Sequence, residues 1–223
     1  MKIYVVSCDT GRFERMKQTT SIPLEFVKSY ISSDEIVSRR GQKCIDRKTG
    51  EARLIAMTLG HMKAMQCLVD SNEEIGIIAE DDVRFHKKFQ ELLPDCQSYL
   101  KESNNDILCL GFVNFPRGNF IKYKNLKIIE RVGLGNPWGT QCYMITRDFA
   151  MRFLDIFKEE DLSLPYANHF SPDWVIFDPI LGTKRSTLAI PIAIESPDEQ
   201  SISVIGTNKP NLFAILNKSD YHL

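Results

Sequence analysis

Short apolar runs alternate with longer amphipathic stretches along this chain, which is the pattern expected of alternating strands and helices. The apolar runs predict strands at 2–8, 22–30, 75–79, 106–111, 140–146 and 188–194. Apolar positions three and four residues apart predict helices from residue 12 onward and at 51–69, 87–100 and 147–157. This order of elements is typical of an α/β domain with a central sheet.

Polar and glycine-rich stretches separate these elements. The segment 32–50 is rich in Arg, Lys, Ser and Gly and is predicted to be loop. Pro94 is expected to limit or kink the helix at 87–100. The segment from Phe112 to Asn136 has scattered glycines and no clear apolar period, so a mobile lid and an edge hairpin both fit it.

The run Ile75–Ala79 ends in three consecutive carboxylates, Glu80, Asp81 and Asp82. Ligands of open α/β sheets bind beyond the carboxyl ends of such strands. Carboxylate oxygens there suit Mg²⁺ or Mn²⁺, particularly when phosphate oxygens complete the coordination. The alternative is a solvated acidic turn, which is the more common meaning of a charge run.

Two further positions have both a structural and a functional interpretation. Ser171 and Pro172 predict a helix start, and Asp173 next to them is either a first-turn residue or a general base that points into a crevice. His61 lies on the apolar face of the helix at 51–69. It is therefore either a core histidine or a residue beneath the acidic site.

Composition narrows the function. The chain has 223 residues, of which 43% are hydrophobic, and shows no linker, so a single domain over 1–223 is predicted. The net charge of -1 disfavours binding to nucleic acid. No run is long enough for a membrane span or a signal-peptide core, and the six cysteines form no C-x-x-C pair. We therefore expect a cytoplasmic protein without zinc. The sequence leaves open both peripheral contact with a membrane and the oligomeric state.

Several short motifs occur in a fixed order along the chain. They are Arg12 and Arg15 after the first strand, Gly60-His61, Ile77-Ile78-Ala79-Glu80-Asp81-Asp82, Trp138-Gly139-Thr140 with Tyr143 and Ala150, Pro172-Asp173-Trp174, and Pro191 with Gln200, Ser201 and Ile202. In this order they resemble glycosyltransferase family 25, which includes bacterial lipooligosaccharide galactosyltransferases and the domains that glycosylate collagen hydroxylysine. The chain departs from the family pattern at Ser7, where the family usually has Asn, and at Met57 and Gly60, where it has Cys and Ser.

The resemblance implies a single GT-A type, Rossmann-like α/β domain with a mostly parallel central sheet flanked by helices. It further implies inverting transfer of a hexose, galactose-like, from a nucleotide-diphosphate sugar such as a UDP-sugar to a hydroxyl of a glycan or glycoconjugate, with Mn²⁺ or Mg²⁺ as cofactor. On this basis Asp82 binds the metal directly, Asp81 supports the metal or the ribose, Glu80 reaches the ribose or the nucleobase, and Asp173 is the base. The remaining donor-site residues implied are Ser7, Arg12, Arg15, Gly139 and Trp138, the last packing on a sugar face or lying in the core.

Two other classes of protein stay open from the sequence. A nucleotidyltransferase uses the same metal and nucleotide but attacks the α-phosphate, and such enzymes commonly have a glycine-rich phosphate loop, whereas the segment 9–15 has only Gly11. A non-catalytic glycan-binding domain would have lost the acids or the base, all of which are present here.

Overall fold

A mixed sheet of eight strands forms the centre of the protein in the computed structural model, which describes residues 1–41, 52–112, 118–130, 139–157, 172–177, 182–195 and 220. The strands are β1 (Ile3–Ser7), β2 (Leu24–Lys28), β3 (Ile75–Glu80), β4 (Val83–Phe85), β5 (Ile107–Cys109), β6 (Phe120–Tyr123), β7 (Leu126–Ile129), β8 (Cys142–Thr146), β9 (Arg185–Leu188) and β10 (Ala193–Glu195). The helices are α1 (Thr10–Lys17), α2 (Glu35–Gly41), α3 (Ala52–Ser71), α4 (Phe89–Glu102), α5 (Arg147–Ile156) and α6 (Pro172–Ile176).

The order of strands in the sheet is β2-β1-β3-β8-β5-β9-β7-β6. β1 pairs in parallel with both β2 and β3, and β5 pairs in parallel with β9. β8 runs antiparallel between β3 and β5, and the β6–β7 hairpin adds antiparallel pairings at the far edge. β4 and β10 form a separate antiparallel pair. The predicted α/β class with a central sheet is confirmed.

The sheet has an apolar core on each face, which explains why β3 and β8 are continuous apolar runs. Ile78 and Tyr143 belong to the core cluster that includes residues of α3 and α5. Ile77 and Met144 belong to the cluster on the other face, which includes residues of α1 and α4. Side chains alternate between faces along a strand, so both faces of these central strands must be apolar.

The helix predicted at 51–69 is present as α3, and α4 runs through Pro94 to Glu102, so the proline does not end it. Among the described residues, no helix is long and apolar enough to cross a membrane.

Part of the segment predicted to be loop, 32–50, is helical. α2 occupies Glu35–Gly41, with Val37 fully buried and Ile36 packed against the same core cluster as α3. The prediction was wrong for these residues, because burying two apolar side chains stabilises a short helix that its polar composition does not favour. Residues 42–51 lie outside the described residues.

The single strand predicted at 188–194 is also wrong. The chain forms β9 up to Leu188, bends through residues 189–192, and then forms β10 in the other sheet. Pro191 lies in the bend, and a proline has no N–H to donate to a sheet ladder, which explains why one strand does not continue through it.

The described part of the segment predicted to be a lid or an edge hairpin, 118–130, contains the β6–β7 hairpin at the edge of the main sheet. β7 is hydrogen-bonded to β6 on one side and to β9 on the other, and Leu126 and Ile128 are buried. The hairpin alternative is the one that the structure has in this range.

Candidate active site

Strand pairing brings the first carboxylates together with the N-terminal strand. Val6 of β1 pairs with Glu80 of β3, so the next residues, Ser7 and Asp81, leave the two parallel strands side by side. Ser7 Oγ donates a hydrogen bond of 2.5 Å to Asp81 Oδ2, and Arg12 Nη1 lies 3.3 Å from Asp81 Oδ1. Both oxygens of Asp81 are therefore engaged by residues of the first strand and first helix.

The start of α1 fixes where Arg12 can point. Asp9 caps this helix, its Oδ1 accepting hydrogen bonds from the backbone N–H groups of Gly11 at 2.7 Å and Arg12 at 3.2 Å. These two amides, that of Arg12 first, lower the pKa of Asp9. Arg15 is exposed one turn later, with Nη1 near the start of the helix and close enough for its charge to act on Asp9.

Glu80 is held from two sides. Its Oε1 accepts a hydrogen bond of 3.1 Å from Thr140 Oγ1 and lies 3.6 Å from Nε2 of His61. His61 is 1% exposed, and its Nδ1 lies 3.1 Å from the hydroxyl of Tyr143. Burial lowers the pKa of His61 to about 4, so the imidazole is neutral at pH 7 and does not form an ion pair with Glu80. Both interpretations of His61 hold, since it is a core residue and lies beneath the acidic site.

Asp173, in the first turn of α6, points back toward the start of β8. Its Oδ1 accepts a hydrogen bond of 2.8 Å from the backbone N–H of Gly139. Burial and the nearby charge of Glu80 raise the pKa of Asp173 to about 6, in spite of the amides of Gly139 and Thr140, which favour the charged form. A carboxylate with this pKa exchanges protons near neutral pH, as a general base must.

Gly139 is suited to this position by its lack of a side chain. Its φ of +131° is a conformation that favours glycine, and a Cβ added there would lie 1.9 Å from Oε1 of Gln141. Trp138 and Ser171 lie outside the described residues.

Asp82 lies among the other carboxylates of the site. Its Oδ1 is buried and has no hydrogen-bond partner in the described part of the chain. Burial, followed by the charges of Glu80, Glu195 and Asp81, raises the pKa of Asp82 well above its usual range, and only partial relief comes from Arg12. A buried carboxylate among others of the same charge requires a cation to stay ionised.

Sequence reasoning missed Glu195. This residue is opposite Val83 in the β10–β4 pair, which places it beside Asp82. The signal was available, because Glu195 directly follows an apolar run, as Glu80 follows the run Ile75–Ala79, but the predicted strand ended one residue before Glu195.

The donor groups fit a divalent cation of a particular kind. Within the described ranges, no group of three or more His, Cys, Asp or Glu side chains is placed to hold a metal ion. Mg²⁺ in nucleotide enzymes is commonly held by one or two carboxylates, with phosphate oxygens and water completing the shell. The unpartnered oxygen of Asp82, with Asp81 beside it, matches this arrangement.

Comparisons with known proteins give one match at the level of sequence families. The family model described as "Glycosyltransferase family 25 (LPS biosynthesis protein)" matches residues 1–168, a range that includes Ser7, Glu80, Asp82 and Gly139 but ends before Asp173. No curated protein matches the chain.

Solved structures with a similar shape share little sequence with this chain. A197 from STIV matches with a TM-score of 0.46 and 10% identity over 86% of this chain and 82% of that one. A glycosyltransferase involved in the glycosylation of the major capsid of PBCV-1 matches with a TM-score of 0.43 and 9% identity, covering 93% and 94%. An apo-UDP-glucose pyrophosphorylase matches with a TM-score of 0.42 and 9% identity, covering 84% and 89%.

Proposed function

We propose, from the premise that this chain belongs to glycosyltransferase family 25, that it is a metal-dependent inverting glycosyltransferase. Its donor would be a UDP-sugar carrying a galactose-like hexose, and its acceptor a hydroxyl of a glycan or glycoconjugate. The observation that carries the proposal is the buried, unpartnered oxygen of Asp82 among three other carboxylates. Such a site is electrostatically incomplete without a cation, and a nucleoside diphosphate bound through that cation is the donor chemistry of the family.

On this proposal Asp82 holds the cation directly and Asp81 assists it. A bound Mn²⁺ or Mg²⁺ would offset the negative charge that builds on the diphosphate as it leaves. Arg12, 3.3 Å from Asp81, adds a positive charge on the side of β1 and α1. Ser7, Arg12 and Arg15 would bind the nucleotide part of the donor, and Glu80, which accepts a hydrogen bond from Thr140, would accept hydrogen bonds from the ribose hydroxyls. Trp138 stays a predicted contact of the sugar.

Asp173 takes the role of base in this mechanism. The acceptor hydroxyl loses its proton to Asp173 as its oxygen forms a bond to the anomeric carbon, while the bond from that carbon to the diphosphate oxygen breaks. A single displacement of this kind inverts the anomeric configuration. The Gly139 N–H favours the charged form of Asp173, whereas burial and Glu80 favour the protonated form. The resulting pKa near 6 suits a group that must be free of its proton before the reaction and able to hold it afterwards.

A non-catalytic glycan-binding domain is the weaker alternative. It would have no use for a cluster of half-buried carboxylates, because uncompensated charges that are removed from water destabilise the folded protein. Here the charge of Glu80 raises the pKa of both Asp82 and Asp173, although Asp173 comes from a distant part of the chain.

Calorimetry of UDP binding tests the proposal. We expect UDP to bind in the presence of Mn²⁺ or Mg²⁺ and to bind much more weakly in a chelator, because the carboxylates would otherwise face the diphosphate with like charge. A donor-hydrolysis screen with a panel of nucleotide sugars, with and without Mn²⁺, then identifies the donor. Equal affinity for UDP with chelator and with metal would overturn the metal-bridged donor site.

A further inference from the structure

Gln141 presents a buried carboxamide that none of the assigned roles uses. The side chain is 4% exposed, and neither its Oε1 nor its Nε2 has a hydrogen-bond partner in the ranges that the structure describes. Buried side-chain amides are nearly always hydrogen-bonded, because a buried donor or acceptor without a partner loses its hydrogen bonds to water and gains none within the protein. A buried amide whose donor and acceptor both lack a partner is suited to hydrogen bonding with a ligand.

Strand register places this amide in the candidate active site. Ala79 pairs with Cys142 and Cys109 pairs with Tyr143, so Gln141, the residue directly before β8, continues this register opposite Glu80 on one side and Gly111 on the other. The Glu80 N–H donates a 2.9 Å hydrogen bond to the Gln141 carbonyl, so the pairing with β3 continues to this level. Paired residues of antiparallel strands project to the same face of a sheet. Gln141 and Glu80 therefore share the face on which Tyr143 and His61 lie.

The amide of Gln141 packs directly against Gly139. A Cβ on Gly139 would lie 1.9 Å from Oε1 of Gln141, so the amide occupies the space that a side chain at this position would fill. A Cβ on Gly111 would be at an ordinary contact distance of 3.5 Å from Cγ of Gln141, but it would lie 2.4 Å from the carbonyl oxygen of Ala193. The N–H of Gly139 is also the group that holds Asp173, so the amide and the proposed base are both next to Gly139.

The position of Gln141 in the sheet indicates which part of the donor it meets. Ser7 and Asp81 lie at the ends of β1 and β3, and Arg12 contacts Asp81 from α1. Gln141 directly precedes β8, the strand on the side of β3 away from β1, and lies near the base that activates the acceptor. The reacting sugar must lie between the diphosphate and the base.

We propose that Gln141 binds a hydroxyl of the transferred hexose and determines which hexose is accepted. The proposal rests on the function proposed above and names a specificity-determining residue within it. A carboxamide donates through Nε2 and accepts through Oε1, and a sugar hydroxyl also does both, so the two groups can satisfy each other. A site with a buried group that needs such a partner discriminates strongly against a donor that lacks the hydroxyl.

The test compares Gln141→Met with the wild-type protein. Methionine has nearly the same length as glutamine but lacks its polar atoms, and Gln66→Met makes the same exchange at an exposed position of α3 as the matched control. Each protein is assayed with the best UDP-hexose from the donor screen and with its deoxy analogues, each lacking one hydroxyl. Binding of UDP alone with Mn²⁺ and the thermal unfolding midpoint are measured in parallel.

We expect Gln141→Met to lower kcat/KM for the complete hexose by about 10- to 1000-fold, the range for a lost substrate hydrogen bond in a closed site. With the wild-type protein, kcat/KM for one deoxy analogue should be lower than for the complete hexose by the same factor. With Gln141→Met, the same analogue should show no further fall in kcat/KM, as in a double-mutant cycle. The affinity for UDP should stay within about twofold, because the nucleotide contacts are unchanged. The unfolding midpoint should not fall, because methionine removes polar atoms that have no partner.

Three results would overturn the inference. If Gln141→Met lowered the affinity for UDP by the same factor as kcat/KM, Gln141 would lie at the nucleotide. If the variant lowered kcat/KM by the same factor for the complete hexose and for every deoxy analogue, Gln141 would have no role in choosing the sugar. A lower unfolding midpoint with unchanged kinetics would make the amide structural. Failure of the proposed function itself differs from all three, because in that case the wild-type protein and Gln66→Met would also process no nucleotide sugar.

Discussion

Replacing Asp173 with Asn should make the protein more stable at neutral pH while removing the base. The pKa of this carboxyl is raised from 3.8 to about 6, mainly by burial and then by the charge of Glu80. A raised pKa means that the folded protein binds the proton more tightly than the unfolded chain does. The wild-type protein therefore loses stability as the pH rises from about 4 through about 6, where the buried group becomes charged.

The size of the effect follows from the pKa values. A difference of about two pKa units corresponds to about 3 kcal/mol. This is an upper bound on the increase in the free energy of unfolding above pH 7 when the carboxyl is replaced by a neutral side chain. The asparagine of the variant can still accept the hydrogen bond from Gly139, but its NH₂ group adds a partly buried donor, which reduces the gain. We expect Asp173→Asn to raise the free energy of unfolding by about 1–3 kcal/mol at pH 8 and by almost nothing at pH 4.

Urea unfolding of both proteins at several pH values between 4 and 8 measures this difference. Asp148→Asn is the matched control, because Asp148 is exposed in the first turn of α5, where a carboxylate favours the helix, so its loss should not stabilise the protein at any pH.

With a verified acceptor, turnover of Asp173→Asn should fall by about two to four powers of ten while UDP affinity is nearly unchanged. A variant that gains no more stability at pH 8 than at pH 4 would refute the assignment of a raised pKa. Near wild-type turnover would leave Asp173 as a helix-start residue only.

Further predictions concern other parts of the site and fold. Asp82→Asn should lose metal-dependent UDP binding and turnover together, because an amide is a poor ligand for a hard cation, and calorimetry that shows unchanged binding would contradict this. Gly60→Ala should destabilise the protein by about 1–2 kcal/mol, because its Cβ would lie 2.4 Å from Ser29 Oγ and 2.6 Å from Val6 Cγ1, whereas Gly11→Ala at the exposed start of α1 should change the unfolding free energy less. Hydrogen exchange should be slow in β7, which is bonded on both sides, and faster in β6 at the sheet edge. Fast exchange throughout 118–130 would instead favour the lid that the sequence also allows.

The elements that could be predicted from sequence are those whose burial is nearly complete. β3 and β8 are buried on both faces, so their sequences are apolar throughout and can be recognised without knowing the fold. The amphipathic period of α3 is equally clear over its length. Among the side chains of α2 that the structure describes, Ile36 and Val37 are those in the core cluster, and a signal of two residues is lost in a polar segment.

The candidate site could be predicted only where charge marks it. Three consecutive acids after an apolar run are conspicuous, and Asp173 stands at a recognisable helix start. The contacts of Asp81 with Ser7 and Arg12 depend on the pairing of β1 with β3, which no local pattern specifies. Gln141 gives no signal, because a neutral amide at the start of a strand becomes unusual only when the structure shows it buried and without a partner.

The position of β9 has a consequence for how the chain reaches its final form. This strand lies between β5 and β7, although both of its neighbours come much earlier in the sequence. During synthesis from the N-terminus, β5 has an open edge and the β6–β7 hairpin has nothing to join until Arg185–Leu188 has emerged from the ribosome. An unpaired edge with apolar side chains invites pairing with other chains. The open edge of β5 therefore persists until β9 has been made, and the strand that closes it shortly precedes β10, which brings Glu195 to the site.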